Sequence, residues 1–178
     1  MALQKNKLKQ GLINWIEKCR TEIKNTNDAL QLFVDAYENY AKDAQDISGD
    51  YVLSYNKSSM FETLLNLPSQ QSVNDGAQII ENAIINFWNG ATFKLLIPPP
   101  GTILPEISST VIQNIVSGTL KSLLVPIFSN LNINTSDETR IDQLATVIDS
   151  VTKTIIVNCI GTNPSNPPST IPIQGTIY

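Results

Sequence analysis

The sequence predicts a mainly α-helical, α+β protein: an N-terminal helical hairpin, C-terminal helices with a few short strands, and an extended Pro-rich C-terminal arm. Three observations lead there. Apolar residues recur every three or four positions through long stretches of the chain. Side-chain acceptors stand just before several of those stretches, where helix N-termini need them. Short β-branched runs end at proline or glycine, as strands leaving a sheet do. With 178 residues, 42% of them hydrophobic, the chain has material for one domain, or at most two small ones, with a buried core.

Residues 3–25 read as an amphipathic helix, with Leu8, Leu12, Ile16, Cys19 and Ile23 on one face and Lys5, Lys9 and Lys18 on the other. The run Asn25-Thr26-Asn27-Asp28 ends that helix and caps the next. The second helix is predicted to reach about Ile47, with Leu30, Phe33, Tyr37, Tyr40 and Ala44 in register, before Ser48-Gly49-Asp50 breaks it. So short a link makes the pair antiparallel. Tyr51–Tyr55 reads as a short strand, and Ser59–Leu67 as a short helix that Pro68 stops. Residues 74–89 form a firmer helix, capped by Asn74 or Asp75 and closed by Gly90, with Ala77, Ile80, Ile84, Phe87 and Trp88 inward.

Ala91–Ile97 reads as a strand that Pro98-Pro99-Pro100-Gly101 terminates. Residues 108–130 have helical spacing interrupted by Gly118 and Pro126, so two short helices or one kinked helix is expected. Thr135 with Glu138 reads as a capping box for a helix whose inward positions are Ile141, Leu144, Ala145, Ile148 and Val151. Thr154–Cys159 is β-branched and extended. Ala77–Phe93 and Arg140–Ile156 share a helix–strand scheme, which would let the two strands pair on one small sheet. The chain thus divides into a helical hairpin over 1–48, a helical α+β body over 49–160 and an extended arm over 161–178.

Composition excludes much chemistry. There is no histidine, which removes Ser-His-Asp and Cys-His catalysis and histidine-ligated zinc. Two cysteines do not make a zinc site. Cys19 and Cys159 read as two buried thiols in a reducing cytoplasm, with a bridge between them as the alternative. Phosphate-binding glycine loops are absent. Asp43 with Asp46, and Asp142 with Asp149, share helix faces at a spacing that solvated helices also show, so no catalytic residue is assigned. Trp15, Phe33, Tyr37, Tyr40, Phe87 and Trp88 read as core rather than as a ligand groove. No metal, cofactor, nucleic acid or membrane is expected, and neither a signal peptide nor a spanning helix is seen.

Charge is the sharper signal. Only 16% of residues are charged, against about 25% in an average soluble protein, and the net charge is −4. Residues 1–24 carry six basic side chains against two acidic ones, so the remainder is strongly acidic. Lys5 and Lys9 would therefore suit an acidic partner or another copy's body, or else a solvated face. Between Leu95 and Ser136 only Glu106 and Lys121 are ionised, and after Lys153 nothing is. Ile171, Pro172, Ile173, Ile177 and Tyr178 make the tail apolar, and an arm laid along a neighbouring subunit would bury them.

The segments GAQIIENAIINFWNGATFKLLIPPPG and RIDQLATVIDSVTKTIIVNCIG, on an acidic histidine-free body with a Pro/Thr tail, resemble small virion proteins of contractile-tailed bacteriophages. The resemblance spans roughly residues 71–178 and rests on helix-plus-strand patterns. It implies a non-enzymatic tail, neck or baseplate component, assembled in the host cytoplasm, whose partners are other virion proteins or copies of itself in an oligomeric assembly. It carries over no catalytic or binding residue. A soluble adaptor that binds a partner protein through the N-terminal hairpin is the alternative.

Overall fold

A computed structural model describes residues 3–46, 49–94, 109–130, 135–163 and 169–178. The order of elements is α1 (Lys5–Thr21), α2 (Thr26–Ala41), β1 (Tyr51–Ser54), α3 (Lys57–Leu64), α4 (Val73–Trp88), β2 (Thr92–Lys94), β3 (Ser109–Gln113), α5 (Thr119–Ser129), α6 (Asp137–Thr152), β4 (Ile156–Asn163) and β5 (Ser169–Thr176). The protein is mainly helical with one small antiparallel sheet, as the periodicities indicate.

Local chemistry fixes the helix ends. Asn25, Asn56, Ser72 and Ser136 each accept a backbone N–H of the first turn of α2, α3, α4 and α6. Ser72 and Ser136 thus take the roles expected of Asn74 or Asp75 and of Thr135. Ser72, two residues before Asn74, and Ser136, one after Thr135, offer the same acceptor, and the hydrogen bond decides between them. Helix α2 stops at Ala41 instead of running to Ile47, which lies outside the described residues. The backbone then tightens, with Ala44 N–H on the Ala41 carbonyl at 2.9 Å, and Gln45 leaves to pair with strands. Pro68 lies in a 3-10 turn, Leu67–Ser69, after α3 has already ended at Leu64.

The largest departure is in 108–130, where a strand and a helix replace the expected helices. Thr110, Val111 and Ile112 are β-branched, and sheet pairing outweighs their helical spacing. Helix α5 then starts after Gly118, whose φ of +87° favours glycine, and it continues through Pro126. The expected strand at 91–97 is described only over Thr92–Lys94, and Pro98–Pro100 lies outside the described residues.

Strand order is β1-β2-β3-β4-β5, every neighbour antiparallel. The strands of the two helix–strand units, β2 and β4, share the sheet but do not pair as expected, because β3 lies between them and pairs with both. One face of the sheet meets the helices: Phe93 and Val157 are fully buried, and Phe93 stacks on Trp88 with centroids 6.3 Å apart. A single buried cluster links Leu8 and Leu12 of α1, Tyr37 of α2, Met60 of α3, Phe87 of α4, Leu124 of α5 and Ile148 of α6 to these strands. Helix α1 packs on both α2 and α6. Its Gly11 admits α2 so closely that a Cβ there would sit 3.0 Å from the Ala36 Cβ.

Two polar devices hold the core. Trp88 Nε1–H donates to the Tyr37 hydroxyl at 2.7 Å, which lies 3.1 Å from Thr152 Oγ1, while the Tyr40 hydroxyl donates to Asp149 at 2.8 Å. Burial pushes both tyrosine hydroxyls well above their ordinary range. The second device is Glu81, fully buried on the apolar face of α4. Its carboxylate accepts the Gly118 N–H at 2.7 Å, the Lys121 N–H at 2.9 Å and the Gln78 amide at 3.1 Å. It caps α5, which has no side-chain cap of its own.

Candidate interaction surface

The basic face of α1 finds its acidic counterpart within its own chain. Lys5 Nζ lies 3.4 Å from Asp142, Lys9 lies 3.2 Å from Glu138 and 3.4 Å from Asp142, and Arg20 lies 2.6 Å from Asp137. All three acids are on α6. The hydrogen bond to Glu138 raises the Lys9 ammonium above its usual range, and the hydrogen bond from Lys5 lowers Asp142. Lys5 and Lys9, read from the sequence as partner contacts, thus sit on α6 of the same fold.

The tail turns inward as well. Ile171, Pro172 and Ile173 lie on β5, opposite Gly161, Ile160 and Cys159 of β4. Ile177 is 1% exposed in the chain's own core, although the sequence suggested a neighbour would have to bury it. Its N–H donates to the Ile155 carbonyl at 3.1 Å. Tyr178 exchanges two backbone hydrogen bonds with Gln45, each 3.0 Å, and Gln45 also bridges to Tyr51 of β1. Gln45 therefore joins the first strand of the sheet to the segment following its last. The eighteen-residue arm is too short to form a core alone, but it does not need to: the helices supply one.

The carboxylate pairs separate. Asp142 serves Lys5 and Lys9, while Asp149 accepts from Tyr40 and from Lys153, both at 2.8 Å. Asp43 pairs with Lys7 at 2.8 Å, and Asp46 is buried in the turn beyond α2, where it accepts the Asp50 N–H at 3.0 Å. Among the described residues, no three of His, Cys, Asp and Glu converge to hold a metal, and no helix is long and apolar enough to cross a membrane. Cys19 is a half-buried free thiol, held above its usual range by burial. Of the aromatics, Phe33, Tyr37, Tyr40, Phe87 and Trp88 are core. Trp15 and Phe33 also line a groove of about 290 Å³ with Ile80, Phe128, Ile141 and Leu144.

Asp50 gives a pH prediction. Burial first, and the Asp46 charge second, raise its carboxyl above the usual aspartate range. A group raised in the fold contributes stability that is complete below its unfolded value and is lost as pH rises through the folded one. Asp50→Asn is therefore expected to raise the thermal midpoint at pH 7, with the gain vanishing by roughly pH 3, below the ordinary aspartate range. Midpoints that coincide at pH 7 would contradict it.

On the side away from the helices the sheet carries a polar, uncharged row. Ser54, Thr92, Thr110, Asn158 and Gln174 are successive partners across all five strands. They alternate with buried Phe93 and Val157, so the row lies on the face away from the core. Ser54 and Thr92 hydroxyls are 2.6 Å apart. Sequence reading missed this row because register, not spacing, assembles it. Among the described residues, β3 registers with β4 only as far as Asn158, while five further β4–β5 pairs run from Cys159–Ile173 to Asn163–Ser169. No family model, curated protein or solved structure matches the chain.

Proposed function

We propose that the protein is a non-enzymatic structural subunit of a larger assembly, and that this assembly is the virion of a contractile-tailed bacteriophage, put together in the host cytoplasm. Its partners are copies of itself or other virion proteins. The observation that carries this reading is the distal half of the β4–β5 hairpin. It extends past the described end of β3, bears no charge, and adjoins the uncharged row on the side of the sheet away from the helices. A surface that avoids charge suits lasting contact with neighbours better than free solution. The contact element is then a hairpin anchored at its base, not a detached arm. An adaptor role for the N-terminal hairpin has less support, since α1 and α2 bury Leu8, Leu12, Phe33, Val34 and Tyr37 in their own core.

The test removes the distal hairpin and keeps its root. Cys159 and Ile173 face each other in the β4–β5 register. Replacing residues 160–172 by Asn-Gly closes that pair with a two-residue turn of the type hairpins favour. Light-scattering mass over a concentration series is expected to show multimers for the full chain and folded monomers for the shortened one. Monomers in both cases would remove self-assembly. Multimers in both would move the contact elsewhere.

A further inference from the structure

The outer edge of β5 poses a question that the proposed assembly leaves open. Strand β5 is last in the sheet, and among the described residues no strand pairs with its outer side over Ser169–Thr176. An eight-residue edge strand is a template for adding a strand from another molecule. Which residues offer their backbone groups there follows from the ladder. Ile177 donates to the Ile155 carbonyl, and in an antiparallel pair directly bonded positions recur at every second residue. The register runs without a bulge from Ile156–Thr176 to Asn163–Ser169. Ile171, Ile173 and Gly175 therefore bond inward to β4, and Thr170, Pro172, Gln174 and Thr176 face out. Tyr178 obeys the same phase, since its N–H and carbonyl both go to Gln45.

Pro172 is thus at an outward position in the middle of the outer edge of β5. Proline has no N–H to give, so here it removes a donor from the edge and none from the β4–β5 ladder. One residue earlier or later it would break an inward bond instead. We infer that Pro172 keeps the outer edge of β5 from adding a strand of a second copy of this chain. The tail is thereby free to stay uncharged without polymerising. This inference does not depend on the virion reading, because it concerns which contacts the edge refuses.

The experiment compares the full chain with Pro172→Val and with the double variant Pro172→Val/Gln174→Pro, which returns a proline to a neighbouring outward position. Light-scattering mass is followed over a hundredfold concentration range, beside circular dichroism. The full chain is expected to reach a plateau, as monomer or closed oligomer. Pro172→Val is expected to grow without a plateau, to at least tenfold the plateau mass, and the double variant to return to it. A Pro172→Val mass curve that overlays the full chain overturns the inference. So does growth in both variants alike, which would place the cause in the valine side chain and not in the restored N–H. Pro172→Thr supplies the same donor with a polar side chain. Loss of folded signal in both Pro172→Val and Pro172→Thr also overturns it, because the inward ladder is intact in each.

Discussion

Glu81→Leu is expected to destabilise the protein by about 4 kcal/mol, a large part of the roughly 5–15 kcal/mol that holds a domain of this kind together. The carboxylate is fully buried, and a buried charge persists only where hydrogen bonds replace water. Here they do. Gly118, just before α5, and Lys121, in its first turn, each give it a backbone N–H, at 2.7 and 2.9 Å, and Gln78 gives its amide at 3.1 Å. The positive end of the α5 dipole faces the same oxygens. Gly118 cannot cap α5 with a side chain, and its φ of +87° keeps most other residues from that position. Leucine at 81 would fill the volume and leave two N–H groups without an acceptor, at about 1–3 kcal/mol each, beyond the lost charge–dipole attraction. The thermal midpoint should fall by about 10 °C, given about 2–4 °C per kcal/mol at this size. Glu81→Gln keeps one good acceptor and should lose about half as much. Urea titration decides: a Glu81→Leu midpoint within the error of the parent would mean that α5 does not rely on this cap.

How legible Glu81 was in the sequence is instructive. Ala77, Ile84 and Trp88 are buried on α4, and Glu81 falls on the same stripe, four residues after the first and three before the second. An acid in an apolar stripe is visible without coordinates. Its partners are not, because Gly118 and Lys121 lie far along the chain, beyond two strands. The helices themselves were legible because a period near 3.6 and a capping acceptor are local properties, as at Asn25 and in the inward positions of α6. Strand β3 was not. Thr110-Val111-Ile112 admits either period, and only pairing with Asn158 and Val157 selects the strand. The same limit explains Lys5 and Lys9. Composition shows that α1 is basic and the remainder acidic, but not that α6 folds back beside α1 to supply Glu138 and Asp142.

A chain ending at Ile160 is expected not to fold cooperatively. The arm looked separable because four prolines and no charge suggest an extended segment, although the extended run at Thr154–Cys159 stands just before it. Register supplies the partner: all eight residues of β5 pair with β4. Removing them strips that ladder from β4 and opens the core around Val157, which is fully buried. It also removes Ile177, and a buried isoleucine cut back to alanine alone costs about 2–5 kcal/mol. The Tyr178–Gln45 pair goes too, and with it the link from β1 to the end of the chain. These losses together reach the whole stability of a typical domain, so a broad, low-cooperativity urea transition is the expected result. Ile177→Ala in the intact chain should show a sharp transition displaced by about 3 kcal/mol. If the chain ending at Ile160 instead melts with the parent's midpoint and slope, the tail is a true arm, and its burial of Ile177 is dispensable. The distinction matters for any assembly experiment. A truncated chain that fails to associate has lost its fold as well as its contacts. Only the variant that trims 160–172 and retains Ile177 separates the two.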